Sequence, residues 1–380
     1  MADLSELGTV AFGYVHRDLG ERRMINKNMK RGFGSAGFAA ALMAGVMTAA
    51  IMTVPEANAE EKVVANGELL RIQEYPGTIL HFTQWVAADK GFCEDHGIRC
   101  EMVKIPSGPV GLQALAAGSI EVSFASTEVT MQAASRGNDV QLIVGHSPAN
   151  IYTLNVHADV PRPNKDKGYP AVMQDLKGLN VGVTGRGSGT ELQARALFIG
   201  AGMDPDDVTY IAVGAPGTAY PSFLARQVDA AMMFEPFGTI CRLQETCGAL
   251  VDLVGGEGPA EITSLNGAFE TYAARTDFIE ENTVAIDAFI QAITEATVWV
   301  NDPANFDELL EVVKGRFTLG EEIEDSENVL RELVKSGAPL YGAEIDRTAV
   351  KAFSDYLIQN ELITDPVDPA TFVYAKAPKP

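Results

Sequence analysis

The chain has 380 residues, 46% of them hydrophobic and 21% charged, enough to bury more than one core. Its net charge is −22, and so acidic a surface repels phosphate backbones and anionic lipid, which excludes nucleic acid as a partner. The 36 glycines and 19 prolines are spread along the chain, so many short connections are expected rather than one disordered linker.

Residues 1–59 read as a signal peptide. Lys27, Lys30 and Arg31 form a basic start, residues 33–54 carry no charge, and Ala57-Asn58-Ala59 places small side chains where a signal peptidase reads them. The uncharged run is long enough to stay behind as a membrane anchor. Its Ala and Gly content and the cleavage site after it favour removal, with no stable membrane insertion afterwards. Arg22-Arg23 stands too far ahead of that run to read as a twin-arginine signal. Cleavage leaves 23 basic and 46 acidic residues in a periplasmic chain.

Cys93, Cys100, Cys241 and Cys247 lie in two close pairs, and none is near the cleavage site where a lipid would be attached. An oxidising compartment favours local disulfides, 93–100 and 241–247, although three pairings are formally open. Cys93, His96 and Cys100 have zinc-like spacing but lack a fourth ligand, so no metal and no cofactor are expected.

Beyond the signal, β-rich runs alternate with helical periodicity. Strands are expected at 69–75, 98–103, 121–125 and 141–145, with helices at 80–96, 106–118 and 128–135 between them. Residues 159–170 form a polar loop with three prolines. The pattern then restarts, with strands at 180–184, 208–213, 229–234 and 249–253 and helices at 190–201, 220–226 and from Pro236. From Asp277 the chain is mainly helical, with amphipathic stretches near 282–300, 305–317, 322–335 and 344–360. This is an α/β chain with mostly parallel, covered sheets. Its halves echo each other: LAAGSIEVSFA at 115–125 and LARQVDAAMMF at 224–234 each end a helix and enter a strand. Ligands bind outside the carboxyl ends of such strands.

Five segments in order carry a family resemblance: Gly91-Phe92, LQALAAGSIEV at 112–122, DLKGLNVGV at 175–183, DAAMMFEP at 229–236, and the strand at 269–274 with Arg275-Thr276-Asp277-Phe278. Together they cover about residues 68–300, and they resemble the periplasmic solute-binding proteins of taurine, alkanesulfonate, nitrate and thiamine-precursor ABC transporters. The resemblance implies a type II periplasmic binding protein, two α/β lobes joined by two crossing strands. Lobe one would be 60–152 with the mainly helical 268–380, and lobe two 153–267. It further implies a monomer that captures a small-molecule ligand and delivers it to an ABC transporter permease and its ATPase.

The candidate ligand contacts follow. Arg186, Gly187, Ser188, Gly189 and Thr190 lie between a strand and a helix, where N–H groups, hydroxyls and a guanidinium suit an anionic group. The loop has neither a Walker A sequence nor a dinucleotide fingerprint, and an ordinary turn capped by Thr190 is its plain alternative. Glu235 ends an apolar strand at the place where taurine binders carry an acid that meets the ligand amine. Ser126, Thr127 and Glu128 end the matching strand of the first half, although all three also suit a helix start. Thr78 and His81 follow the first strand and Asn266 precedes the returning one; these complete the set. An acid facing an anion-friendly loop suits an aminosulfonate-like zwitterion or another nitrogen-containing organic molecule. Pyrimidine-precursor enzymes of the same fold and solute sensors are the alternatives; the chain lacks a Cys-rich iron motif and a paired catalytic histidine, so it is read as no enzyme.

Overall fold

The computed structural model describes residues 62–320, 323 and 325–380. The expected signal peptide lies outside the described residues.

The first run of elements is β1 (Glu68–Glu74), α1 (Phe82–Asp89), α2 (Phe92–Asp95), β2 (Ile98–Lys104), α3 (Gly108–Ala116), β3 (Ser123–Ser126), α4 (Thr127–Ser135) and β4 (Val140–Ser147). The single helix expected over 80–96 is two helices. Gly91 holds φ at 85°, a left-handed conformation that glycine adopts without strain, and it breaks the stretch between α1 and α2.

The second run is β5 (Thr153–His157), β6 (Asn180–Val183), α5 (Gly189–Gly200), β7 (Thr209–Ala212), α6 (Pro216–Leu224), β8 (Ala230–Met233), α7 (Phe237–Leu243), β9 (Cys247–Asp252) and α8 (Ala260–Thr263). Strand β5 has no counterpart among the expected strands. Helix α6 begins at Pro216, ahead of the expected 220, because proline is favoured in a first turn. The chain ends with β10 (Glu270–Arg275), α9 (Thr276–Glu281), α10 (Thr283–Asn301), α11 (Phe306–Arg316), α12 (Ser326–Gly337), α13 (Arg347–Gln359) and α14 (Pro369–Phe372). Helix α10 is long and apolar enough to cross a membrane, but its buried face packs against α1 and β4.

Two sheets share one topology. The second sheet runs β7-β6-β8-β5-β9. In the first, the parallel pair β1-β2 joins the set β3-β10-β4 through a bridge from Ile72 to Val122, giving β2-β1-β3-β10-β4. In both, the fourth position is an antiparallel strand that has just crossed from the other sheet: β5 follows β4, and β10 follows β9. This is the two-lobed α/β architecture that the resemblance implies. Strands β3 and β8, which end the echoed segments, are buried along their whole length, as strands covered on both faces must be. Disulfides Cys93–Cys100 and Cys241–Cys247, with Cα atoms 6.1 and 5.2 Å apart, tie α2 to β2 and α7 to β9.

The lobes touch backbone to backbone. Gly77, at φ 72°, lies so near α6 that a Cβ built on it would stand 2.3 Å from the Gly217 Cα. The Gly217 N–H donates to the Pro76 carbonyl at 3.3 Å. Gly217→Val is therefore expected to wedge the lobes apart and leave each one folded. Overpacking of about 1–3 kcal/mol would shift the closed–open balance roughly 5- to 150-fold. Small-angle scattering should show a larger radius of gyration with an unchanged circular-dichroism spectrum.

Candidate functional site

The carboxyl ends of the parallel strands of both sheets face one another. After β1 comes the turn with Tyr75 and Thr78, and after β8 come Phe234 and Glu235. The Tyr75 ring stacks on Phe234 with centroids 5.8 Å apart, and its hydroxyl donates to the Phe124 carbonyl at 3.0 Å. The Thr78 hydroxyl donates to the Glu235 backbone carbonyl at 2.8 Å. These contacts hold one rim of the cleft closed.

Deeper in, a polar cluster spans both lobes. Glu270 opens β10 directly opposite Ser126 in the antiparallel ladder, so the two side chains share a face. Glu270 is 1% exposed; its Oε1 accepts from the Tyr152 hydroxyl at 2.8 Å and its Oε2 has no partner. The Ser126 Oγ is also without a partner and makes no capping bond to α4, so the plain helix-cap reading does not hold for it. Across the cleft, the amino end of α5 presses on the same atoms. A Cβ on Gly189 would stand 2.5 Å from the Tyr152 hydroxyl and 2.7 Å from Ser126 Oγ, so only glycine lets the helix come this close.

Glu128, fully buried on α4, accepts from Gln193 Nε2 of α5 at 3.1 and 3.3 Å, and Asn150 Nδ2 donates to Gln193 Oε1 at 3.0 Å. Burial pushes the carboxyls of Glu128 and Glu270 up to about 8 each, against the hydrogen bonds from Gln193 and Tyr152. The neighbouring Glu128 also raises Glu270. Among the described residues no lysine or arginine is buried, and no ion pair reaches either acid.

The structure therefore brings Thr78, Ser126, Glu128 and Gly189 of the expected set to the interface and turns others away. Arg186 points outward with a side chain 61% exposed, donating to the Tyr210 carbonyl at 3.1 Å and pairing with Glu191 at 3.0 Å. Gly187 is exposed, and its N–H donates to Glu191 at 2.7 Å. Ser188, not Thr190, caps α5, accepting from the Glu191 N–H. With Glu191 reaching back, this is a capping box shifted by one residue. The hydroxyls of Thr184, Ser188 and Thr190 bond one another at 2.8–3.0 Å.

The Glu235 carboxylate is spent at the start of α7, where it accepts from the N–H and the hydroxyl of Thr239, both at 3.0 Å. Burial raises its pKa and those two bonds lower it. The Thr127 hydroxyl donates to the Ala268 carbonyl at 2.5 Å, within lobe one. His81 lies in the core of that lobe, accepting from the Tyr75 N–H at 2.7 Å, and burial holds its pKa well below the usual value. Asn266 is exposed and donates to the Thr263 carbonyl. Glu270, Tyr152, Asn150 and Gln193 are cleft residues that the sequence reading passed over. An acid at the head of the uncharged β-prone run at 271–274 is the available signal for the first of them.

The family model described as the NMT1-like family matches residues 78–314. A protein of Brucella abortus, named only as a binding protein, is 30% identical over 226 residues, 59% of this chain. The match spans 64% of that relative, under two thirds of its length. Among solved structures, a Bordetella bronchiseptica protein superposes with a TM-score of 0.68 at 22% identity, covering 81% of this chain and 95% of its own. The alkanesulfonate-binding protein SsuA of Xanthomonas axonopodis, bound to MOPS, gives 0.63 at 18% identity, covering 82% and 99%. These likenesses establish the periplasmic binding protein fold.

The buried acids predict a pH dependence. Their folded pKa lies above the unfolded value, so the native state holds more protons, and the stability they contribute is lost as pH rises from the usual carboxylate range through about 8. The melting temperature should fall between pH 6 and pH 9 by roughly 2–5 °C more in the wild type than in a Glu128→Gln, Glu270→Gln double variant. Parallel curves would contradict the burial of ionisable acids at this interface.

Proposed function

Because this chain belongs to the NMT1-like family, we propose that it is the extracytoplasmic solute-binding component of an ABC importer. It captures a small organic, nitrogen-containing solute between its lobes and passes it to a permease and its ATPase. One observation carries this reading. Two sheets of the same strand order meet at their ligand-binding edges over a buried polar cluster in which Ser126 Oγ and Glu270 Oε2 have no partner. Buried polar atoms are nearly always paired, so a solute that pairs them favours the closed arrangement over the open one. Its differential affinity for the two arrangements is what shifts the population. An aminosulfonate would need a basic group for its sulfonate, and Arg186, the residue placed there by sequence, faces away.

A thermal-shift screen of the periplasmic form across sulfonates, amino acids and nitrogen heterocycles should find a solute that raises the melting temperature. Scattering with that solute at saturation should show a smaller radius of gyration than the ligand-free protein at the same pH. Tyr152→Phe removes a hydrogen bond to a buried acid, worth about 1.5–3 kcal/mol, and should weaken binding roughly 10- to 150-fold. Saturation without any change in dimensions would contradict capture by closure.

A further inference from the structure

We propose that the solute taken into this cleft is an organic cation, a protonated amine or amidinium with at least two N–H donors, held between Glu270 and Glu128. The proposal rests on the solute-capture reading above and adds the charge of the solute.

Acceptors outnumber donors in this cluster. In the ionised form that a bound cation favours, a carboxyl offers about four lone-pair sites. Glu270 receives one bond, from Tyr152, and Glu128 receives its bonds from the single amide nitrogen of Gln193. Ser126 Oγ, opposite Glu270, accepts none and donates none. All three side chains are at least nine-tenths buried and come from lobe one, while lobe two contributes the amino end of α5 and the Gln193 amide. The site thus holds two acids, a serine hydroxyl and no basic side chain. A ligand with several N–H groups and a positive charge supplies both the donors and the counter-charge that this set lacks.

A simple anion meets the opposite balance. It would lie beside two acids with no buried lysine or arginine among the described residues, aided only by the partial charge at the α5 terminus. Burial without a counter-charge raises both carboxyls to about 8, so the two acids by themselves keep their protons at neutral pH and a bound cation would release them.

The test is calorimetry on the periplasmic form with two fixed panels. Putrescine, agmatine and benzamidine supply the cationic arm; methanesulfonate, propanesulfonate and nitrate supply the anionic one. At least one cation should bind with closure of the lobes, and Glu270→Gln should weaken it 10- to 100-fold with the melting temperature retained. Glu128→Gln and Ser126→Ala should each weaken it too, and they carry the test should Glu270→Gln fail to fold. Binding of no cation, a cation affinity unmoved by Glu270→Gln, or an anion bound more tightly than every cation overturns the proposal. In the last case closure by the anion leaves the solute-capture reading standing. Binding from either panel with no closure sinks that reading instead.

Discussion

Taking a carboxyl group out of water with no cation beside it penalises its charged form by several kcal/mol and so keeps its proton on, and two such groups are buried together where these lobes meet. Glu128 and Glu270 sit on neighbouring elements of one lobe, and each is answered by one hydrogen-bond donor group, Gln193 or Tyr152. Those donors come from the crossing segment and from the opposite lobe. The acids are therefore as well satisfied as the lobes are close, and the state of the cleft is written in the electrostatics of this pair. A solute that brings donors changes the balance between open and closed more than one that only fills space.

The backbone makes that closeness available. Glycine faces glycine at residues 77 and 217, and Gly189 brings the start of α5 against Ser126 and Tyr152. At each place a side chain would hold the lobes apart. Around this contact, Tyr75 and Phe234 stack from opposite sheets, so an aromatic wall closes with the hydrogen bonds. The repeated strand order gives the reason both sides match. Each lobe presents the ends of its first and third parallel strands, together with the start of a strand that has just crossed over.

Much of this was legible in the sequence. The alternation of strands and helices gave two α/β units, and the echo between 115–125 and 224–234 marked β3 and β8, the third strand of each sheet. Two close cysteine pairs, in a chain whose start reads as an export signal, pointed to the disulfides that tie α2 to β2 and α7 to β9. Site residues read from the ends of parallel strands met mixed fates, for local reasons. Arg186 pairs with Glu191 at the exposed edge of its own loop, and Glu235 spends its carboxylate on Thr239 of the helix that follows it while lining the groove between α7 and α12. Sequence spacing does not reveal which way such a side chain turns. Glu270 and Tyr152 escaped notice because they stand at the amino ends of antiparallel strands, which the rule about carboxyl ends does not cover. In an inserted strand of reversed direction, the residue nearest the ligand comes first.

The most direct test of the account is a crystal structure of the protein with a bound solute. Ligand density is expected beside Ser126, Glu128 and Glu270 near the amino end of α5, with a ligand N–H group within hydrogen-bond distance of the Glu270 carboxyl. A solute lodged instead in the groove between α7 and α12, against Glu235 and Arg242, with the Glu270 carboxyl still unmatched, would contradict the account.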